Sequence, residues 1–174
     1  MKHFLASRVE MQSLVKRRNF LKAGLLSSAV ILTSGCTVLG VTTSRDTIKV
    51  IQNDLFPKAK ELGINTADYI TIIYRHHKIA ESDKEFLKNG VKWLNESAIE
   101  MHKQTYTKLS DEQRQEVLRE IATFEWGESW IDTMLRYIME ASLGDPIYGG
   151  NNKQAAWQWL SFTGGSPRAT EVYL

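Results

Sequence analysis

Apolar residues recur at intervals of three or four positions between residues 46 and 138, which is the spacing of one face of an α-helix. The first helical segment ends or bends at Pro57, since proline cannot continue a helix without losing a hydrogen bond. After Gly63, a second segment begins at Asn65 or Thr66, and either side chain can cap its first turn. The apolar positions of these two segments are Ile48, Ile51, Leu55, Ala67, Ile70, Ile73 and Tyr74.

Three longer segments follow with the same periodicity. Two of them open with a capping-box pattern, in which a serine is followed three residues later by Glu or Gln. These pairs are Ser82 with Glu85 and Ser110 with Gln113. The apolar positions of the three segments are Phe86, Gly90, Leu94, Ala98 and Met101, then Val117, Leu118, Ile121 and Phe124, then Trp130, Ile131, Met134, Leu135 and Ile138.

No alternating apolar–polar pattern of the kind typical of β-strands accompanies these segments, and the last one is ended by Gly144-Asp145-Pro146. The pattern therefore predicts an all-α domain over residues 46–174, a single bundle of five to six helices. Residues 36–45 are small and polar and are predicted to be a tether.

The composition changes where the helical pattern stops. The stretch GDPIYGGNNKQAAWQWLSFTGG, residues 144–165, contains five glycines, one proline and two tryptophans. Glycine-rich backbone flanked by aromatic side chains is typical of a loop that contacts a partner, and the alternative is a loop packed on its own helices. The residues predicted to bind a partner are Asp145, Pro146, Tyr148, Gly149, Gly150, Asn151 and Trp157.

The first 35 residues have the three parts of an export signal. A basic region is followed by a mostly apolar run from Ala23 to Leu32, which is too short for the roughly 20 residues that a membrane-spanning helix needs. Arg17-Arg18, followed by Phe20 and Leu21, resembles the twin-arginine export signal, although Lys16 replaces its usual Ser or Thr. The alternative is a general secretory signal that contains two arginines.

Cys36 follows Ser34 and Gly35 at the end of the apolar run, as in the cleavage box of a lipoprotein. The usual leucine of that box is displaced by one position, to Leu32. We therefore predict lipidation of Cys36 and attachment to a membrane surface on the periplasmic side. The alternative is cleavage nearby, with Cys36 left as a free thiol.

The net charge of +2 over 174 residues belongs to the leader. Residues 1–35 contain six basic groups and one acidic group, so the remaining chain has a net charge of about −3. This charge gives no support for nucleic-acid binding. Cys36 is the only cysteine, which excludes an internal disulfide bond.

The few candidate catalytic or metal-binding residues do not form an established pattern. His76 and His77 are predicted to lie on the second helix, where adjacent side chains diverge by about 100 degrees and cannot easily share a metal ion. His102 also lacks a ligand pattern, so no metal site is predicted. Glu125 and Glu128 are interpreted as a polar cap between two helices, and the stretch 127–130 lacks the closing glycine of a nucleophile elbow.

Four stretches carry a family resemblance. LFP at 55–57, GINTADYI at 63–70, SDEQ at 110–113 and DPIYGGNNKQAAWQWLSF at 145–162 resemble gluconate 2-dehydrogenase subunit 3. The similarity spans roughly residues 46–165. After the string DPIYGGN, which begins at Asp145, the family usually continues to W-x-x-x-G-F-P-G. This chain has Ser161-Phe162-Thr163-Gly164 in place of G-F-P-G.

The resemblance implies a small, non-catalytic subunit that carries the twin-arginine signal for a complex. Its partners would be a large FAD-containing subunit of the glucose-methanol-choline oxidoreductase type, in some complexes a multihaem cytochrome c, and the twin-arginine translocase. The chain itself has neither a G-x-G-x-x-G nor a C-x-x-C-H motif, so no cofactor is expected in it. The alternative function is a stand-alone periplasmic lipoprotein that binds a small ligand between its helices.

Overall fold

The computed structural model describes residues 44–174, and every regular element in that range is helical. The predicted signal peptide, Cys36 and residues 37–43 lie outside the described residues. The α-helices are α1 Ser44–Leu55, α2 Pro57–Glu61, α3 Thr66–Arg75, α4 Glu81–His102, α5 Asp111–Ile121, α6 Glu125–Leu143 and α7 Ala155–Trp159. Three short 3₁₀ turns are Tyr106–Lys108, Pro146–Tyr148 and Asn152–Gln154.

The all-α prediction is confirmed, with seven helices among the described residues instead of five or six. The two additional ones, α2 and α7, have five residues each, too short for a periodic pattern to reveal them. Pro57 starts α2 at the position where its missing N–H costs nothing.

The predicted helix caps have different outcomes. Asn65 caps α3, since its side-chain oxygen accepts a hydrogen bond from the Asp68 backbone N–H at 3.2 Å. The capping box of Ser110 and Gln113 is formed with both of its reciprocal hydrogen bonds. The capping box predicted for Ser82 is wrong: α4 already begins at Glu81, with no side-chain cap. Acidic side chains in that first turn interact favourably with the helix dipole instead.

The main core lies around α4, which packs against α1, α5 and α6. Trp130 of α6 is fully buried at its centre and donates its indole N–H to the carbonyl of Leu87 at 3.3 Å. A β-carbon at Gly90 would come within 2.0 Å of that indole, so α4 and α6 approach this closely only because position 90 is glycine. The predicted stripe positions Phe124 and Met101 are exposed instead, because each lies at or near a helix end.

A buried polar network ties α1 to α5. The hydroxyl of the fully buried Tyr106 donates to Asp54 at 2.7 Å, and the Arg114 guanidinium donates to the same carboxylate oxygen at 2.8 Å. Burial, and next the hydrogen bond to Asp54, raises the pKa of Tyr106. Its hydroxyl therefore stays protonated and remains a donor. Burying a carboxylate is tolerated here because two donors satisfy it.

A smaller apolar cluster seats the C-terminal part of the chain. Ala59 of α2, Ile64, Ala141 of α6 and Ala156 of α7 are buried together. Alanine at these positions lets the backbones of the three helices come close. The loop between α6 and α7 is therefore built directly onto the bundle, and its geometry depends on this packing.

Candidate partner-binding surface

The loop after α6 begins with a tight turn. The Asp145 carboxylate accepts a hydrogen bond from the backbone N–H of Ile147 at 3.0 Å and so caps the 3₁₀ turn Pro146–Tyr148. Gly149 then adopts φ +76°, in the left-handed region that favours glycine. This sequence of turn residues leaves Tyr148 half-exposed and redirects the chain toward the bundle.

Gly150 makes the closest approach of the loop to α6. A β-carbon at this position would lie 2.4 Å from the carbonyl oxygen of Ala141. The carbonyl of Gly150 also accepts a hydrogen bond from the backbone N–H of Asn65 at 3.0 Å, which ties the loop to the start of α3. Any side chain at position 150 would force these backbones apart.

Asn151 and Trp157 hold the loop from inside. The Asn151 side chain is fully buried, donates to the Gly144 carbonyl at 3.3 Å and accepts from the Ala156 N–H at 3.0 Å. The Trp157 indole is only 6% exposed and donates to the Leu143 carbonyl at 2.7 Å. Both side chains satisfy backbone groups at the helix ends that the loop leaves open.

The chain after α7 returns over Trp157. Arg168 lies over the Trp157 ring, 4.7 Å from its centroid, and its guanidinium donates to Asp145 at 2.6 Å. This hydrogen bond, followed by the one from the Ile147 backbone, holds the pKa of Asp145 below its usual range. The Asp145 carboxylate is therefore ionised. It binds the turn at the start of the loop through Ile147 and the segment after α7 through Arg168.

The residues predicted to contact a partner thus have two different environments. Gly150, Asn151 and Trp157 are covered by their own chain and shape the loop from within. The other four predicted residues are partly accessible to solvent; they are Asp145, Pro146, Tyr148 and Gly149. The structure therefore brings all seven residues together, with the accessible ones on one short turn.

A second exposed surface adjoins the loop and was not predicted. We call Leu143, Trp159, Leu160 and Phe162 the α7 edge. Each of them is between 49% and 55% exposed. Two of them contact Trp157: its ring lies 5.4 Å from that of Phe162, and its indole N–H donates to the backbone carbonyl of Leu143. The sequence does carry a signal for this surface. Residues two apart on a helix point to nearly opposite sides, so when Trp157 is buried, Trp159 faces outward.

A cleft lies on the other side of Tyr148. It has a volume of about 430 Å³ and is rich in tyrosine: Tyr69, Tyr137, Tyr148 and Tyr173 line it. The Tyr69 hydroxyl donates to Glu140 at 3.1 Å, and burial, with Glu140 beside it, raises the pKa of Tyr69. The sequence does not reveal this cleft, since its tyrosines come from four separate segments with no common spacing.

The remaining chemical candidates are two histidines just after α3, and a serine and two glutamates of α6. The helix α3 ends at Arg75, so the placement of His76 and His77 on a helix is wrong. Their rings stack at 5.4 Å because His76 has extended backbone. Ser129 is an exposed residue within α6, and Glu125 and Glu128 occupy the first turn of that helix.

His102 lies 3.3 Å from Glu116 at the end of α4. Within residues 44–174, no group of three or more His, Cys, Asp and Glu side chains is arranged to hold a metal ion. None of the described helices combines the length and the apolar character needed to cross a membrane.

A family model described as gluconate 2-dehydrogenase subunit 3 matches residues 43–165. The matched range contains the whole loop and the α7 edge. No curated protein and no solved structure matches the chain.

Proposed function

Because the chain belongs to the gluconate 2-dehydrogenase subunit 3 family, we propose that it is the small, non-catalytic subunit of a flavin-dependent sugar or sugar-acid dehydrogenase. The observation that carries this proposal is the family match over residues 43–165, nearly all of the helical domain. Oxidation of the substrate would then take place in the flavin-containing partner.

The chain would also escort that partner to the periplasm. A flavoprotein that binds FAD in the cytoplasm must cross the membrane folded, and the twin-arginine route carries folded proteins. The pattern of Arg17, Arg18, Phe20 and Leu21 supports this role, because one signal on the small subunit would serve both chains. A multihaem cytochrome c is a further proposed partner, which would receive the electrons.

The escort role is tested by replacing Arg17 and Arg18 together with lysine. This variant keeps the charge of the leader, so a loss of export would reflect recognition of the arginine pair. We expect dye-linked dehydrogenase activity to move from the periplasm to the cytoplasm, while an Arg8→Lys control exports normally. Unchanged periplasmic activity in the double variant would exclude the twin-arginine route.

Membrane attachment through Cys36 is a separate proposal. Lipidation of Cys36 would hold the helical domain close to the bilayer, because the predicted tether, residues 36–45, is short. The intact mass of the membrane-extracted chain should correspond to a mature protein that begins with diacylated Cys36. A different N-terminus, or an unmodified thiol, would overturn the lipid anchor without affecting the escort role.

The loop 145–157 is proposed to take part in the contact with the flavin-containing subunit. Its accessible residues Asp145, Pro146, Tyr148 and Gly149 could touch the partner directly. Gly150, Asn151 and Trp157 would act by keeping the turn in its conformation. Tyrosine is a frequent anchor in protein interfaces, which supports a direct role for Tyr148.

A second candidate function is a stand-alone lipoprotein that binds a small ligand. The tyrosine-lined cleft of about 430 Å³ favours it, since ligand sites combine aromatic walls with a few polar groups. Arg136 and Glu140 supply those polar groups. This candidate would be supported if the isolated monomer binds a small molecule saturably and Tyr148→Ala loses that binding. Purification of the chain as part of a flavoprotein complex would support the first function instead.

A further inference from the structure

Exposed apolar side chains concentrate at the α7 edge. Among the described residues, nine large hydrophobic side chains are exposed, and four of them are Leu143, Trp159, Leu160 and Phe162. Single exposed hydrophobic residues are ordinary on a protein surface, whereas a group of them indicates an interaction site. The adjoining Phe56 ring lies 6.5 Å from that of Trp159 and extends the apolar surface to α2.

The backbone that presents these side chains is held in an unfavourable conformation. Lys153, Gln154 and Ser161 all have φ between 54° and 62°, in the left-handed region that residues with a β-carbon avoid. Three of the four non-glycine residues with positive φ in the described chain therefore lie in the segment that carries the edge. Such strain tends to concentrate at functional sites. The internal hydrogen bonds of Asn151 and Trp157 hold this geometry in place.

Three cationic side chains lie at or near the edge, and one of them has no carboxylate partner among the described residues. Lys58 lies 5.8 Å from the Trp159 ring centroid, Arg168 lies over Trp157, and the exposed Lys153 belongs to the loop just before α7. Lys58 and Arg168 have carboxylate neighbours, whereas Lys153 forms no ion pair within the described part of the chain. By contrast, residues 111–140 of α5 and α6 contain eight acidic and three basic residues.

We propose that the α7 edge is the docking surface for the flavin-containing large subunit, and this inference rests on the proposed function. The partner would present apolar sockets for Trp159 and Phe162, surrounded by carboxylates that face Lys58 and Lys153. An acidic rim would be repelled by α5 and α6 and attracted to the edge, which fixes the orientation of docking.

The charge of the rim distinguishes this occupant from a second copy of the chain. In a symmetric dimer, each edge would face the same edge of the other copy. Each face would then carry the uncompensated charge of Lys153, since Lys58 and Arg168 are paired with Glu61 and Asp145, and two faces of like net charge meet unfavourably. A partner with an acidic rim removes this repulsion, so the edge fits a different protein better than itself.

The test uses the full-length chain co-expressed with the flavin-containing subunit. Wild type and the double variant Trp159→Ala/Phe162→Ala are compared by the apparent Kd of the complex and by the flavin retained per small subunit. Truncation of interface anchors should weaken binding by at least roughly tenfold. Ile99→Ala and Phe124→Ala are matched controls, since these side chains are 46% and 41% exposed elsewhere. Both controls should bind within about twofold of wild type.

Two further variants keep the test independent of folding. Leu160→Glu places a charge in the apolar surface and should also abolish retention of the flavoprotein, while circular dichroism stays unchanged. Lys153→Glu should weaken binding and make it less sensitive to salt, because it removes an attraction across the rim. These outcomes together would support the edge as the docking surface.

Other outcomes would separate the two proposals. If wild type retains the flavoprotein and the edge variants retain it equally well, the docking inference fails and the proposed function stands. If wild type itself retains no flavoprotein, the proposed function fails. If wild type alone is a dimer and Trp159→Ala/Phe162→Ala is a monomer, the edge binds a second copy, which also overturns the inference.

Discussion

The backbone of Gly150 lies directly on that of Ala141, at a separation that leaves no room for a β-carbon at position 150. The stretch 145–162, which carries most of the family resemblance, is therefore attached to the last turn of α6. The loop is part of the fold of the small subunit, and what it presents to other molecules depends on this attachment.

Substitution of Gly150 should accordingly destabilise the isolated subunit. In Gly150→Val, the side chain would meet the Ala141 carbonyl, and overpacking of this kind costs about 1–3 kcal/mol or more. Urea unfolding of the mature chain measures the loss. Gly165→Val is the control, since nothing lies within 4 Å of a β-carbon there. Equal stability of Gly150→Val and wild type would show that the loop is not packed on α6.

Ser161→Gly should raise stability. Ser161 has φ +54°, and the left-handed conformation costs a non-glycine residue about 1–2 kcal/mol. Glycine loses more entropy on folding, by about 0.5–1 kcal/mol, so a net gain of roughly 0.5 kcal/mol is expected. Ser129→Gly, within the exposed face of α6, should instead lower stability by about 0.5 kcal/mol. Thermal unfolding should show a higher Tm for Ser161→Gly and a lower Tm for Ser129→Gly than for wild type. A lower Tm for Ser161→Gly would show that the backbone at Ser161 is not strained.

Tyr106→Phe should weaken the bundle without altering its shape. The variant removes a hydrogen bond to the buried Asp54 carboxylate, and bonds to charged groups contribute about 1.5–3 kcal/mol. Tyr148→Phe, at a half-exposed position, should change stability by less than about 0.5 kcal/mol. A double-mutant cycle with Arg114→Gln would show coupling, because both groups donate to the same oxygen. Strict additivity would mean that the network does not act as a unit.

Asp145 should titrate below its ordinary pKa of 3.8 in the folded protein, chiefly because Arg168 donates to it. Since the folded-state pKa is lowered, the contact contributes stability above about pH 4 and loses it as pH falls through the folded-state pKa. Carboxyl NMR of labelled Asp145 measures this titration directly. In Arg168→Gln the pKa should rise toward 3.8, with the Ile147 hydrogen bond still lowering it. An unchanged pKa in that variant would exclude the Arg168 contact.

The sequence predicted the parts of the fold that depend on local pattern. The five longer helices, the Asn65 cap and the capping box of Ser110 follow from periodicity and from side chains that reach neighbouring backbone groups. The capping box predicted for Ser82 was wrong because the helix already begins at Glu81, whose acidic side chain suits a helix N-terminus. His76 was placed on a helix that ends one residue earlier.

The candidate surface was predictable only in part. The glycines and aromatics of 145–157 located it, since composition reveals an unusual loop. Composition did not reveal that Asn151 and Trp157 turn inward, because their partners are backbone groups of residues 143, 144 and 156. The exposed position of Phe162 and the cleft beside Tyr148 depend on tertiary packing that no local pattern encodes, whereas the two-residue spacing of Trp157 and Trp159 does indicate that one of them faces outward.

We propose that this member of the gluconate 2-dehydrogenase subunit 3 family functions as the accessory subunit of a flavin dehydrogenase. The most direct measurement is purification of the tagged full-length chain from membranes of the cell that makes it, followed by flavin absorbance and native mass. The account predicts a complex that contains an equimolar flavoprotein subunit and oxidises a sugar or sugar acid with a dye acceptor. Recovery of the chain as a flavin-free monomer, under mild extraction that removes no bound subunit, would contradict the proposed function.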